Sequence, residues 1–304
     1  MRLALFHSRR ALRSIALLTA AAALACAGET KKDPDAIGHR KVSGSLNFYS
    51  LAQEMALGKQ LSIEVEKQAR MLDDFTVTEY VNRLGQNLVL NSDVKIPVSF
   101  HVIDSGDMEA FTLPGGFIFI DTGLIRLSGN EAQLASVLAH ELGHAAARHA
   151  TRQATRNQLA GLGSIPLALI GGWSGLALSE AARAAAPMTA LKFSREFEIE
   201  ADLLGLQYLW KAGYDPTASV DMFEAMASTE KRQPGRMARL FRTHPVTTDR
   251  IDRAQKNIDE LLPPREEYVI NTSEYEEIRA RLFAADRSAK TPEPARPTLR
   301  RGAR

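Results

Sequence analysis

The 304-residue chain is 45% hydrophobic and 24% charged, with a formal net charge of +2 at pH 7. That length supports one substantial domain or two small ones. The near-balanced charge argues neither for nor against nucleic acid, but no arginine stripe interleaved with aromatics is present, which argues against a nucleic-acid-binding protein.

Residues 1–25 have the layout of a signal peptide. Arg2, Arg9, Arg10 and Arg13 form a basic start, 14–25 is a short apolar stretch, and Ala23-Leu24-Ala25 offers small residues for cleavage. The apolar stretch is too short for a comfortable membrane span. Cys26 is the only cysteine, so an internal disulfide is excluded. Its place directly after the cleavage pattern predicts a lipid anchor on Cys26. Ala23 stands where a lipidation signal prefers leucine, which leaves ordinary cleavage and a free thiol as the other outcome. Residues 26–45 read as a flexible tether and 46–286 as one domain. The basic, proline-rich stretch 287–304 reads as a disordered tail.

Within the domain, 47–72 and 76–90 carry apolar positions at helical spacing. Residues 96–103 and 116–120 are strand-like, with Pro114-Gly115-Gly116 as a turn feeding the second. A short helix follows Asp121. Asn130, with Gln133 as its box partner, then caps a longer helix. The uncharged segment 159–178 is long enough to cross a bilayer but carries five glycines and a proline. It reads as a hairpin, lid or membrane-touching loop. Helices are predicted at 191–211, closed by Gly213, at 216–230 behind Asp215-Pro216, and at 247–262. A last helix starts from a Ser273–Glu276 capping box and ends near Ala285. The fold class is α+β, mainly helical with one small sheet.

The Asn130-capped helix contains His140-Glu141-Leu142-Gly143-His144. Imidazoles four residues apart lie on one helical face, about one turn from each other. Both can bind one metal ion, and Glu141 on the flank can take a proton from a water at that ion. The pattern predicts zinc-assisted hydrolysis of an amide bond. A third histidine six residues after His144 is excluded, because Ala150 stands there. His149, one residue earlier, turns away from the ligand face of a continuous helix and reads as a packing or supporting residue. A carboxylate from another helix is the better third ligand. Glu198 and Asp202 share a face: Glu198 can bind the metal while Asp202 orients an imidazole. Glu196 is a weaker rival, and Glu200 points elsewhere.

These residues resemble the zinc metallopeptidases that include the CAAX prenyl protease, the heat-shock protease HtpX and envelope quality-control proteases, a gluzincin family. The resemblance covers roughly 51–283. It rests on Glu54 with Leu57-Gly58, on Tyr80-Val81-Asn82-Arg83-Leu84-Gly85, and on Ala110-Phe111-Thr112-Leu113-Pro114-Gly115-Gly116. His140 to His144 with Arg148-His149, Ser194-Arg195, Glu198 to Asp202, and Thr243-His244-Pro245 with Arg250 complete it. It implies a zincin-type domain with its sheet beside the active-site helix and one zinc ion per chain. His140, His144 and Glu198 would bind the metal and Glu141 would be the general base. It alone implies that His244 approaches the open side of the metal, where it can donate to an oxyanion. Glu109 departs from the family, which has asparagine there. An acidic side chain beside the cleft would favour basic substrates or restrain the free enzyme.

The expected protein is a zinc endopeptidase of the bacterial cell envelope, on the periplasmic side of the outer membrane in a Gram-negative cell. It would be a free-standing peptidase domain that cleaves misfolded or misassembled envelope polypeptides. Its membrane contact is expected through Cys26. The alternative is an envelope assembly factor or chaperone that keeps zinc with little proteolysis.

Overall fold

The computed structural model describes residues 31–44, 46–159, 193–232, 244 and 248–290. The signal peptide, Cys26, most of segment 159–178 and the tail beyond 290 lie outside the described residues.

The sheet has three strands: β1 (Ser99–Ile103), β2 (Ala110–Leu113) and β3 (Phe117–Asp121). Their order is β1-β3-β2, with β1 parallel and β2 antiparallel to β3. Pro114-Gly115-Gly116 makes the turn between β2 and β3, as expected. Gly115 and Gly116 sit at φ +77° and +89°, which L side chains rarely adopt. β2 itself carries no readable strand pattern. All four of its residues are buried, so no polar alternation marks Ala-Phe-Thr-Leu as a strand.

Strand alternation sorts the side chains onto two faces. Phe100, Val102, Ala110, Ile118 and Ile120 join the main core, while Ile103, Phe111, Leu113 and Phe119 face the other way. The second face is covered by α1 (Leu51–Gln68), through Leu61 and Val65. α1 approaches the β2–β3 turn so closely that a Cβ on Gly58 would lie 1.7 Å from Pro114 O. This contact accounts for two of the sequence motifs at once.

The main core gathers α2 (Phe75–Leu90), α3 (Thr122–Leu127), α4 (Glu131–Ala146), α6 (Arg195–Lys211), α7 (Ala218–Arg232) and α9 (Ser273–Lys290). α5 (His149–Leu159) follows α4, and α8 (Thr248–Leu261) packs on α6 and α7. α4 is buried almost all round, which explains why its apolar residues are not confined to one stripe. Asn130 caps it by accepting from Gln133 N at 2.9 Å. The Gln133 side chain reaches back to Gly129 N rather than to the cap residue, so the expected box is displaced by one residue. At α9 the cap is Thr272, which accepts from Tyr275 N, and Ser273 is the first helical residue. Glu276 instead accepts from Asn271 Nδ2. Gly213 ends α6 with φ +93°, as expected.

Residues 31–44, expected within a tether, lie against the domain. Ile37 and Val42 are buried in the main core. Arg40 pairs with buried Asp93 at 2.8 Å, and Tyr208 of α6 donates to the same carboxylate. Among the described residues, no helix is long and apolar enough to cross a membrane.

α4 and α6 meet through glycine. A Cβ on Gly143 would sit 2.8 Å from Ala201 O, and one on Gly205 would sit 2.9 Å from His140 N. Each clash is with backbone, which cannot swing aside. Gly205→Ala should therefore lower metal-free stability by ~1–3 kcal/mol from overpacking, despite about 1 kcal/mol of helix propensity gained. Urea unfolding of the variant measures this. Unchanged or higher stability would show that the helices have room to part.

Candidate metal centre

The α4–α6 crossing brings the paired residues of both helices together. His140 and His144 point across it at Glu198 and Asp202. His140 Nε2 and His144 Nε2 are 3.1 Å apart. Glu198 places Oε1 3.4 Å from His144 Nε2 and Oε2 3.6 Å from His140 Nε2. Zinc–ligand distances of about 2.0–2.1 Å imply ligand–ligand spacings of roughly 3.4 Å in a tetrahedron. The two imidazole nitrogens and the Glu198 carboxylate lie close to that spacing, each imidazole facing a different carboxylate oxygen. Two imidazoles and a carboxylate are also a donor set that zinc uses in catalytic sites. The residues present fit the metal.

His244 completes the cluster. The ligand atoms of His140, His144, Glu198 and His244 all lie within 4.8 Å of one another. His244 Nδ1 is 3.0 Å from Glu198 Oε1 and 3.3 Å from His140 Nε2. Its Nε2 faces Glu141 Oε1 at 3.6 Å. His244 thus stands between the third donor and the expected base.

Local structure fixes each side chain. Ser194 caps α6 and accepts from Phe197 N, which starts the helix one turn before Glu198. Glu141 Oε2 accepts from Thr112 Oγ1 at 2.7 Å, and the same hydroxyl lies 2.9 Å from the Glu141 carbonyl. Thr112 is on the β2 face that turns toward α4, so strand alternation aims it at the base. Asp202 Oδ1 lies 3.0 Å from His140 Nδ1, the nitrogen that faces away from the cluster. Arg250, in the first turn of α8, grips the same carboxylate with Nε at 2.9 Å and Nη2 at 2.6 Å.

Burial shapes the protonation states. It is the largest influence on His144 and holds that imidazole down to about 4, against the pull of Glu198. Burial also opposes a charge on His244, but Glu198 and Glu141 together raise it to about 9. Glu198 would be raised by burial, yet His244 and His144 keep it well below the usual carboxylate range. For Asp202 the Arg250 guanidinium and His140 outweigh burial and bring it to about 2. The site is therefore a buried patch of carboxylate charge held by cations. A divalent metal would add to the positive side of that balance.

The remaining residues take up places around the cluster. Glu196 is exposed and pairs with Arg156 at 3.0 Å, away from the cluster. Glu200 does point away from the metal donors, but toward His149, Arg152 and Lys31. His149 touches His144, Nδ1 to Nδ1, at 2.9 Å. A continuous helix would not allow that contact. Arg148 adopts φ 57°, ends α4, and lets His149 begin α5 turned back toward the site. Glu109 is buried rather than displayed on the cleft surface. Thr112 and Arg250 were part of recognised motifs without an assigned role. Their contacts span 29 and 48 residues, so no local pattern could reveal them.

A family model described as Peptidase family M48 matches residues 76–258. The beta-barrel assembly-enhancing protease of Escherichia coli (strain K12) is 32% identical over 222 residues, covering 70% of this chain and 45% of its own length. The protein of the same name from Yersinia pestis is 30% identical over 255 residues, covering 80% of this chain and 52% of its own. Mitochondrial metalloendopeptidase OMA1 of Schizosaccharomyces pombe is 30% identical over 225 residues, with 72% and 62% covered. The chain thus spans about half the length of these two bacterial proteins.

The Arg250–Asp202 pair offers a direct stability test. Both side chains are buried, at 5% and 9% exposure. Arg250→Met fills the space but leaves a buried carboxylate without its cation, which should cost roughly 3–5 kcal/mol. Chemical denaturation of the metal-free protein measures it. A loss no larger than that of an exposed ion pair would mean that His140 alone satisfies Asp202.

Proposed function

The chain belongs to peptidase family M48, the family of zinc metallopeptidases, and from that footing we propose that it is a zinc-dependent endopeptidase of the bacterial cell envelope. The observation that carries this reading is the tetrahedral spacing of His140 Nε2, His144 Nε2 and the Glu198 carboxylate, with Glu141 held beside them. In this reading His140, His144 and Glu198 hold one zinc ion, and Asp202 orients His140 from behind.

Bound there, zinc would polarise the scissile carbonyl and bring the pKa of a water to about 7. Glu141 takes the proton of the attacking water and returns it to the leaving amine. Thr112 fixes the Glu141 carboxylate for that transfer through its 2.7 Å hydrogen bond. His244 donates to the oxyanion of the tetrahedral intermediate, where its position near Glu141 serves it. β2 is an edge strand among the described residues. An extended substrate can pair its backbone with such an edge, which favours polypeptides in non-native or unfolded form.

The cellular setting is inferred from the N-terminal sequence and the relatives' names. Residues 1–25 would direct export. Lipidation of Cys26 would hold the chain on the periplasmic side of the outer membrane in a Gram-negative cell. The substrates would then be misfolded or misassembled envelope proteins, in keeping with the assembly-enhancing proteases it resembles. Radiolabelled palmitate should be incorporated into the full chain in cells and lost in Cys26→Ser. Label that persists in the variant, or never appears, removes the anchor.

The base assignment has its own test. Glu141→Gln should keep one zinc per chain, measured by atomic absorption. It should lower hydrolysis of an unfolded protein by ~100-fold or more, as expected for removal of a general base. Retained hydrolysis sinks the assignment. An envelope assembly factor that keeps zinc without needing proteolysis is the rival reading. It gains ground if Glu141→Gln still complements a deletion strain.

A further inference from the structure

His149 is fully buried, its ring stacked 4.4 Å from that of Phe197. The chemistry above does not use it. Its two nitrogens nevertheless have defined partners. Nδ1 lies 2.9 Å from His144 Nδ1, and Nε2 lies 3.1 Å from Glu200 Oε2. Glu200 also accepts from Arg152 Nη1 at 2.9 Å and pairs with Lys31 of the N-terminal segment.

The proton positions follow from elementary chemistry. An imidazole that binds a metal through Nε2 must present a bare nitrogen there, so its proton sits on Nδ1. Two Nδ1 atoms in hydrogen-bond contact cannot both donate. His144 therefore donates and His149 accepts. A neutral imidazole that accepts on Nδ1 carries its own proton on Nε2. That proton points at Glu200, whose carboxylate can only accept. One orientation of the chain satisfies every group: Glu200 accepts from His149, which accepts from His144.

We propose that His149 is a positioning residue of the metal centre, transmitting the hold of the Glu200 carboxylate to His144. It fixes the plane of the His144 ring and makes Nε2 a stronger donor toward the metal. Asp202 holds His140 directly, whereas Glu200 holds His144 through one intervening imidazole. Both carboxylates come from α6, so one helix supplies a ligand and both outer supports. This inference rests on His144 binding metal through Nε2.

The test uses the full chain and zinc itself. His149→Phe keeps the ring volume and the stacking on Phe197 but removes both hydrogen bonds. His149→Gln keeps one acceptor and one donor. Zinc affinity is measured by competition with a chromophoric chelator, and the Tm of each metal-free protein is recorded beside it. His149→Phe should bind zinc ~10–100-fold more weakly, the usual effect of losing such a partner, with no loss of metal-free Tm. His149→Gln should recover most of the affinity. Glu200→Gln, which conserves shape, should also weaken zinc binding, and it carries the test if His149→Phe does not fold. The proposal is overturned if His149→Phe or Glu200→Gln binds zinc like the wild type, or if His149→Gln binds no better than His149→Phe. A wild-type chain that takes up no zinc would overturn the metal centre itself, a result distinct from intact wild-type binding with unaffected variants.

Discussion

The approach of α4 and α6 is the constraint on which the rest of the structure depends. Gly143 and Gly205 let the two backbones come closer than any side chain at those positions would permit. That closeness sets the span between His140 and His144 on one helix and Glu198 and Asp202 on the other. With a larger separation the carboxylate would fall outside tetrahedral distance of the imidazoles. The motif glycine between the two histidines is therefore a packing requirement of the metal centre.

The crossing also concentrates charge where water is scarce. Glu141, Glu198 and Asp202 are all buried, together with His144 and His244. Such a group of carboxylates is tolerable only when each is paired. Arg250 neutralises Asp202 and lies 3.6 Å from Glu198, while His244 sits between Glu198 and Glu141. α8 and the residue at 244 thus act as the cationic counterpart of α6. The family match, residues 76–258, takes in every residue of this assembly.

A second layer ties the centre to the outside of the domain. Glu54 of α1 accepts from Arg148 at 2.5 Å and from Thr151 at 3.1 Å. It therefore pins the junction at which α4 ends and α5 begins. That junction is the left-handed Arg148, the turn that returns His149 to the site. Lys31 and Arg40 fasten the N-terminal segment to α6 and to the stretch following α2, through Glu200 and Asp93. The chain entering the domain from its N-terminus is thus joined to the side-chain network around His144.

What the sequence determined by itself was local. Four-residue spacing put His140 and His144 on one face, and Glu198 and Asp202 on another, because helical geometry alone dictates those relations. The Asn130 cap, the turn at 114–116 and the glycine at 213 were legible for the same reason, as were the positions of most helices, whereas the last helix is capped by Thr272 rather than Ser273. β2 was not legible, since a strand buried on both faces loses its alternation. The supporting place of His149 fits the sequence, but its direction does not: five-residue spacing in a continuous helix turns it away from His144, and the left-handed Arg148 turns it back. Only the tertiary structure decided that Thr112 holds Glu141, that Arg250 holds Asp202, and that His149 links His144 to Glu200. Each of these contacts joins separate elements, whose relative placement depends on how their surfaces pack rather than on spacing along the chain.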